Sequence, residues 1–224
     1  MKIPVLGTFV EDSGFDALLE SIDYPVEDLF VLNSGSDPIN CSSNKKNHNV
    51  GRIFVSNIPG KITVGEAWNL IIKCYMKSPF WVIAKNSIAL RPGLLGEMVK
   101  AFESDPKMGI VHGSKGHFGL GGWDVFLMTD KVVEALGLFD ENVSPLGCEG
   151  ADYFLRTVNN PIKKVFLESD FCFPATETDS LHLDYLVKKW GDFAALKTWA
   201  NPFGDQNLPP SYFPYDLQIH RIPK

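Results

Sequence analysis

A chain of 224 residues that is 45% hydrophobic, 21% charged and 12% aromatic, with 19 Gly and 15 Pro, has the make-up of one globular domain with its own core and excludes disordered, collagen-like and coiled-coil classes. Its formal net charge of -6 argues against a surface that works by neutralising phosphates, so no nucleic-acid partner is expected. No apolar run nears the roughly 20 residues of a membrane span, and acids follow Val10 at once without a signal-peptide core, so the expectation is a cytoplasmic protein with no transmembrane segment.

Taken in order, Lys2 to Thr8 reads as a strand, and Asp12 to Ile22 as a helix with Phe15, Leu18, Leu19 and Ile22 on one face. Leu29 to Leu32 is a buried strand that stops in the turn-forming stretch Asn33 to Asp37. A polar segment, Pro38 to Asn49, leads to a strand from Arg52 to Val55 and a helix from Gly65 to Met76, whose face carries Ala67, Trp68, Leu70, Ile71 and Cys74. Phe80 to Ala84 is a strand, Leu94 to Phe102 a helix entered through Pro92 and Gly93, and Met108 to His112 and Val125 to Met128 are strands. Lys131 to Leu136 and Ala151 to Val158 read as helices, Val165 to Leu167 as a strand, and Leu183 to Trp190 as a late helix before an irregular tail. The cysteines at 41, 74, 148 and 172 are scattered, which predicts reduced thiols rather than a zinc site or a disulfide framework.

Strands alternating with helices imply an α/β fold with a mainly parallel mixed sheet flanked by helices on both faces, and such sheets bind ligands beyond the carboxyl ends of their strands. The loops after Thr8, Leu32 and Ala84 are therefore the candidate site. No phosphate-binding loop or dinucleotide fingerprint is present, and the glycines at 113, 116, 119, 121 and 122 precede a strand, which suits a loop that lets substrate approach the backbone.

The opening IPVLGTFVEDSGFDALLESIDYP, the run VLNSGSD, the segment from VGEAWNL to RPGLL and the block GGWDVFLMTDKVVEALGLFDENVSPLGCEGADYFLR stand in an order that resembles the GT-A glycosyltransferases of the family-2-like type. KKWG and NPF are similar to the closing segment of some members, so the resemblance covers about residues 3–203. The size also resembles that of small viral capsid-glycan transferases. It implies a Rossmann-like single domain, with a nucleotide-binding half over about 1–110, an acceptor and sugar half over about 111–200, and a tail over 201–224. The activity it implies is transfer of a sugar from a nucleoside diphosphate, a UDP-sugar above all, to a glycan hydroxyl.

In such enzymes the first two strand ends hold base and ribose, which implies nucleotide contacts from Thr8, Phe9, Asn33, Ser34 and Asp37, although Asn33 to Asp37 also has the composition of an ordinary turn. Asn69 joins them, while Trp68 reads equally as core or as a stacking platform. The fourth strand usually ends in an acidic motif that holds Mn2+ or Mg2+ against the diphosphate. Lys85, Asn86 and Ser87 stand there in this chain, with Ser87 in place of the metal aspartate. Lys85 and Asn86 are read as nucleotide contacts, Lys85 either supplying fixed positive charge or standing as a solvated lysine. No cofactor is certain; Mn2+ or Mg2+ is the one the resemblance brings, with Ser87 and His182 as weak candidate ligands.

The carboxylate that takes the acceptor's proton usually belongs to an acidic pair before the DYFLR-type helix. Gly150 replaces its aspartate here, leaving Glu149 first and Asp152 second as candidate bases, with Asp152 also readable as a helix N-terminal acid. Gly122, Trp123, Asp124, Lys189 and Trp190 are read as sugar or acceptor contacts, and Asp140 as a turn or cap residue. Two rival readings stand beside transfer: an inactive homologue that binds nucleotide sugar or glycan as a partner subunit, and a nucleotidyltransferase.

Overall fold

Among the described residues, apolar runs rich in β-branched and aromatic residues become strands, and 3.6-periodic runs become helices. The computed structural model describes residues 1–11, 15–39, 47–60, 62–85, 89–114, 123–141, 149–158, 160–167 and 189. Among these the order is β1 (Ile3–Val10), α1 (Phe15–Ser21), β2 (Val26–Asn33), β3 (Val50–Asn57), α2 (Val64–Cys74), β4 (Phe80–Lys85), α3 (Leu94–Glu103), β5 (Met108–His112), β6 (Val125–Thr129), α4 (Asp130–Leu136), α5 (Glu149–Val158) and β7 (Lys163–Phe166). Apart from Lys189, the residues expected to form the late helix and the tail lie outside the described residues.

The strands form one seven-stranded sheet in the order β3-β2-β1-β4-β6-β5-β7. All neighbours pair in parallel except β6, which runs antiparallel to β4 and β5. The fold is thus the expected mixed α/β architecture. Leu18 of α1 and Leu95, Met98 and Val99 of α3 pack with Leu6 and Val10 on one face of the sheet. Ala67, Ile71 and Ile72 of α2, Val132 and Val133 of α4 and Tyr153 of α5 pack with Val5 and Phe9 on the other. Gly7 lets α2 approach β1, because a Cβ there would stand 2.4 Å from the Ile71 side chain.

Two departures from the sequence reading have physical causes. β2 begins at Val26 rather than Leu29 because Asp28, 6% exposed, is neutralised across the sheet by Arg52, its partner in the β2–β3 register, at 2.6 Å. Cys74, expected on the apolar face of α2, is exposed. The polar segment before β3 also has a packing role, since the Asn47 amide donates to the Leu19 and Ile22 carbonyls at 2.7 and 2.8 Å and so closes the end of α1.

Candidate functional site

Because β1, β2, β3, β4, β5 and β7 run one way and β6 the other, Val10, Asn33, Asn57, Lys85, His112 and Phe166 end on the same edge where β6 begins at Val125. The register joins them: the Lys85 amide donates to the Asp124 carbonyl at 2.7 Å, and the Gly113 amide to the Val125 carbonyl at 2.8 Å. This is the edge at which an α/β sheet holds ligands.

On the β1–β3 side of this edge, several of the expected nucleotide contacts are engaged by the protein itself. Thr8 is fully buried and, by strand alternation between Leu6 and Val10, faces the α1–α3 side. Phe9 is 5% exposed and belongs to the opposite core, so the side chains of both lie in packing rather than on the edge. Asn33 donates to the Asp37 carbonyl and the Asn57 Oδ1 at 2.9 and 2.8 Å and accepts from the Gly35 amide at 3.1 Å. Asn57 in turn accepts from the Ile39 amide. The pair therefore shapes the loop that carries Ser34, whose amide bonds to Val10, and leaves Asp37 exposed. Asn69 is fully buried inside α2, where it donates to the Phe139 carbonyl and Glu141 Oε1 and accepts from the Phe139 amide. Its place is that of a pin between α2 and the segment after α4. Trp68 packs edge-on against Phe126 and Phe139, with centroids 5.1 and 4.8 Å away, as a core residue.

The part of the edge next to α4 and α5 is richer in charge. Lys85 is half-buried at the end of β4, next to Asp124. Trp123 is half-buried beside it, with the His112 ring 4.7 Å away at 83° and His112 stacked in turn on Phe166 at 4.8 Å. The Trp123 indole also covers Gly150: a Cβ at that position would stand 2.3 Å from its Cδ1. No side chain fits there, which is a physical reason for glycine where the resemblance expects an aspartate. Glu149, the first residue of α5, is 1% exposed and faces the start of α2, its Cγ 3.2 Å from where a Cβ on Gly65 would lie. That start is fixed by a capping box in which Thr63 and Glu66 satisfy each other's backbone amides. Thr63 was not among the candidate residues, although the Thr-x-x-Glu spacing is legible.

Asp152 holds no open carboxylate. Arg156 donates to its Oδ2 through Nε at 3.0 Å and Nη2 at 2.5 Å, and the Lys189 ammonium lies 2.9 Å from its Oδ1. The same ammonium is 2.6 Å from Asp140 Oδ2, and Arg156 Nη1 also donates to the Leu136 and Leu138 carbonyls. Asp140, expected in a turn or cap, is thus part of a buried network of two acids and two bases. Lys189, expected on the ligand, has a side chain only 9% exposed within it. Arg156 was not singled out, though its position four residues after Asp152 on a helix is the spacing at which opposite charges meet.

Asn86, Ser87, Gly122, His182 and Trp190 lie outside the described residues. Among the described residues no group of three or more His, Cys, Asp or Glu side chains is placed to hold a metal ion. An ammonium, an amide and a hydroxyl in succession at Lys85, Asn86 and Ser87 are a poor donor set for Mn2+ or Mg2+, which take carboxylate oxygens. Also among the described residues, no helix is long and apolar enough to cross a membrane.

No protein-family profile and no curated sequence matches the chain. Solved structures do. The fold is similar to that of a mannosyltransferase from Pyrobaculum calidifontis in complex with GDP-Man and Mn2+, with a TM-score of 0.62 and 14% identity over 96% of this chain and 68% of that one. It is similar to S. aureus TarS, with a TM-score of 0.62 and 16% identity over 88% of this chain and 40% of that one. M. tuberculosis glucosyl-3-phosphoglycerate synthase matches with a TM-score of 0.53 and 14% identity over 82% and 78% of the two chains. The architecture is therefore the Rossmann-like GT-A fold, on a chain that spans about two fifths of TarS.

Proposed function

We propose that this protein is a glycosyltransferase that moves a sugar from a nucleoside-diphosphate sugar, a UDP-sugar first, to a glycan hydroxyl. The observation that carries the reading is one neighbourhood at the carboxyl edge of the sheet. There Lys85 is bonded through its backbone to Asp124, and Trp123 lies on Gly150 beside Glu149, so a cation for a leaving diphosphate stands near the acids of the acceptor side. The solved relatives support the donor class, since TarS has been captured with UDP-GlcNAc.

In this reading the loops of Ser34 and Asp37 receive the nucleoside, and Lys85 with Asn86 meets the charge that develops on the departing diphosphate. Trp123 and Asp124, with Gly122 and Trp190, contact the sugars. Glu149 takes the proton from the acceptor hydroxyl as that oxygen attacks the anomeric carbon. A divalent ion, when bound, would supply a Lewis acid at the diphosphate; in this reading Lys85 supplies positive charge there.

One observation favours a second reading. Glu149 is 1% exposed, which suits a homologue that binds nucleotide sugar or glycan without transferring it. Calorimetric titration with UDP and GDP, paired with a donor-hydrolysis and transfer assay, separates the two. Binding and turnover, with turnover about a hundredfold or more lower in Glu149→Gln at unchanged donor affinity, is the result expected of a transferase with this base. Binding without turnover leaves the second reading, and neither overturns both.

A further inference from the structure

We infer that Lys189 is a positioning residue for Glu149: its ammonium, held between Asp140 and Asp152, locks the first turn of α5 to the segment after α4 and so sets where the Glu149 carboxylate points. The inference rests on the reading of Glu149 as the base. Lys189 Nζ is 2.6 Å from Asp140 Oδ2 and 2.9 Å from Asp152 Oδ1, and the three side chains are at most 9% exposed. With Arg156 on the other oxygen of Asp152, two acids and two bases balance, and Asp140, Asp152 and Arg156 are buried. Such a group has little freedom, because displacing one ion leaves another uncompensated in a poorly solvated place.

The network reaches Glu149 by a short path. Asp152 follows Glu149 by three residues on α5, so the two share a face of the helix. The Asp140 carbonyl and the Glu149 Cγ converge on the start of α2, 3.7 and 3.2 Å from where a Cβ on Gly65 would lie. Between Glu149 and Asp152, Gly150 is pressed against the Trp123 indole, so a shift of this turn is felt by that ring. Lys189 itself is anchored far from α5 in the chain, which makes its ammonium a tie between segments rather than a local helix contact.

The test labels the whole chain with 5-fluorotryptophan, assigns the Trp123 resonance from its loss in Trp123→Phe, and follows that resonance beside donor affinity and turnover. In Lys189→Met the resonance should move and turnover fall by about a hundredfold, the scale of a reacting group misplaced by about 1 Å, with donor affinity within about twofold of wild type. Lys189→Arg, which keeps the charge, should recover most of both. If Lys189→Met does not fold, the charge-balanced pair Asp140→Asn with Lys189→Met takes its place, and turnover should stay low although the fold returns. A folded variant with the Trp123 resonance unmoved, or turnover that returns with the fold, overturns the proposal. A wild-type protein that binds no donor and transfers nothing overturns the functional reading instead, and the resonance then still reports whether Lys189 sets the α5 turn.

Discussion

The two halves of the sheet treat charge in opposite ways. In β1, β2 and β3 the charged pair Asp28–Arg52 sits at the rim, with the Arg52 side chain 62% exposed, and the buried polar residue Asn33 satisfies loops. Around α4 and α5, four ionised side chains lie inside the protein, and the Arg156 guanidinium also covers the Tyr153 ring at 4.7 Å. Desolvating ions is costly and is held in place only by dense mutual pairing, so the second half carries a constraint that the first does not. Both halves supply strand ends to one edge. The β1–β3 side is organised by neutral hydrogen bonds that fix loop shape, whereas the side next to α4 and α5 is organised by charge.

Breaking the buried network should have the largest effect. Asp152→Ala leaves Arg156 and Lys189 facing each other without the acid between them and should cost about 3–5 kcal/mol in chemical denaturation, the scale for breaking a buried ion pair. Arg52→Lys, which keeps a cation beside the buried Asp28 at a position where the side chain is 62% exposed, should cost far less. Equal losses at the two sites would erase the contrast. Next in size, Gly150→Ala drives a methyl group into Trp123 and should destabilise by about 1–3 kcal/mol, the usual range for overpacking, with Trp123→Leu in the same chain recovering most of it. If Gly150→Ala is silent, the indole does not exclude a side chain there, and the reason given for the missing aspartate falls.

At the boundary between the halves, Lys85→Ala should weaken nucleoside-diphosphate binding by about 1–3 kcal/mol, as for one lost charge-assisted contact, and EDTA should leave the wild-type affinity unchanged. Binding abolished by the chelator but intact in Lys85→Ala would give the diphosphate to a metal. On the neutral side, Thr63→Ala removes the capping box of α2 and should lower stability by about 1 kcal/mol. A loss several times larger would show that the start of α2 carries strain beyond its cap.

The same contrast explains what could be read before the structure. Strand identity was legible because buried strands are short apolar runs: Met108–His112 and Phe80–Lys85 stand where their residues place them. Edges were less so where a charge interrupts the run, as at Asp28, whose partner Arg52 is 24 residues away. The edge that gathers the site was legible from topology, since alternation forces a parallel sheet with its strand ends together. Individual side-chain duties were not. Asn69 reads as a crevice residue because its partner Phe139 is 70 residues distant, and Asp152 reads as an open acid because Lys189 is far along the chain. Pattern carries local periodicity; it does not carry which distant group will satisfy a buried polar atom. The Asp152–Arg156 pair is the exception, because its spacing is local.

The smallest effect concerns a charge that lies outside the network. Lys164, half-buried on β7, donates to the Thr157 hydroxyl at 2.6 Å and lies 4.2 Å over the Phe154 ring. Burial lowers its proton affinity from the ordinary 10.5 to about 8. Between these values the unfolded chain keeps a proton that the folded one has released, so stability rises with pH there, and the penalty for burying the ammonium is complete below about 8. Lys164→Met keeps the stem and removes the charge. At pH 7 it should melt above wild type, less the loss of the Thr157 bond. The difference should shrink as pH rises through 8 towards 10.5, because wild-type Lys164 then becomes neutral as well. Thermal melts of the two proteins across that range decide the matter: a gap that widens with pH would mean that Lys164 stabilises the fold as a cation, and that buried charge in this half helps outside the paired network as well as within it.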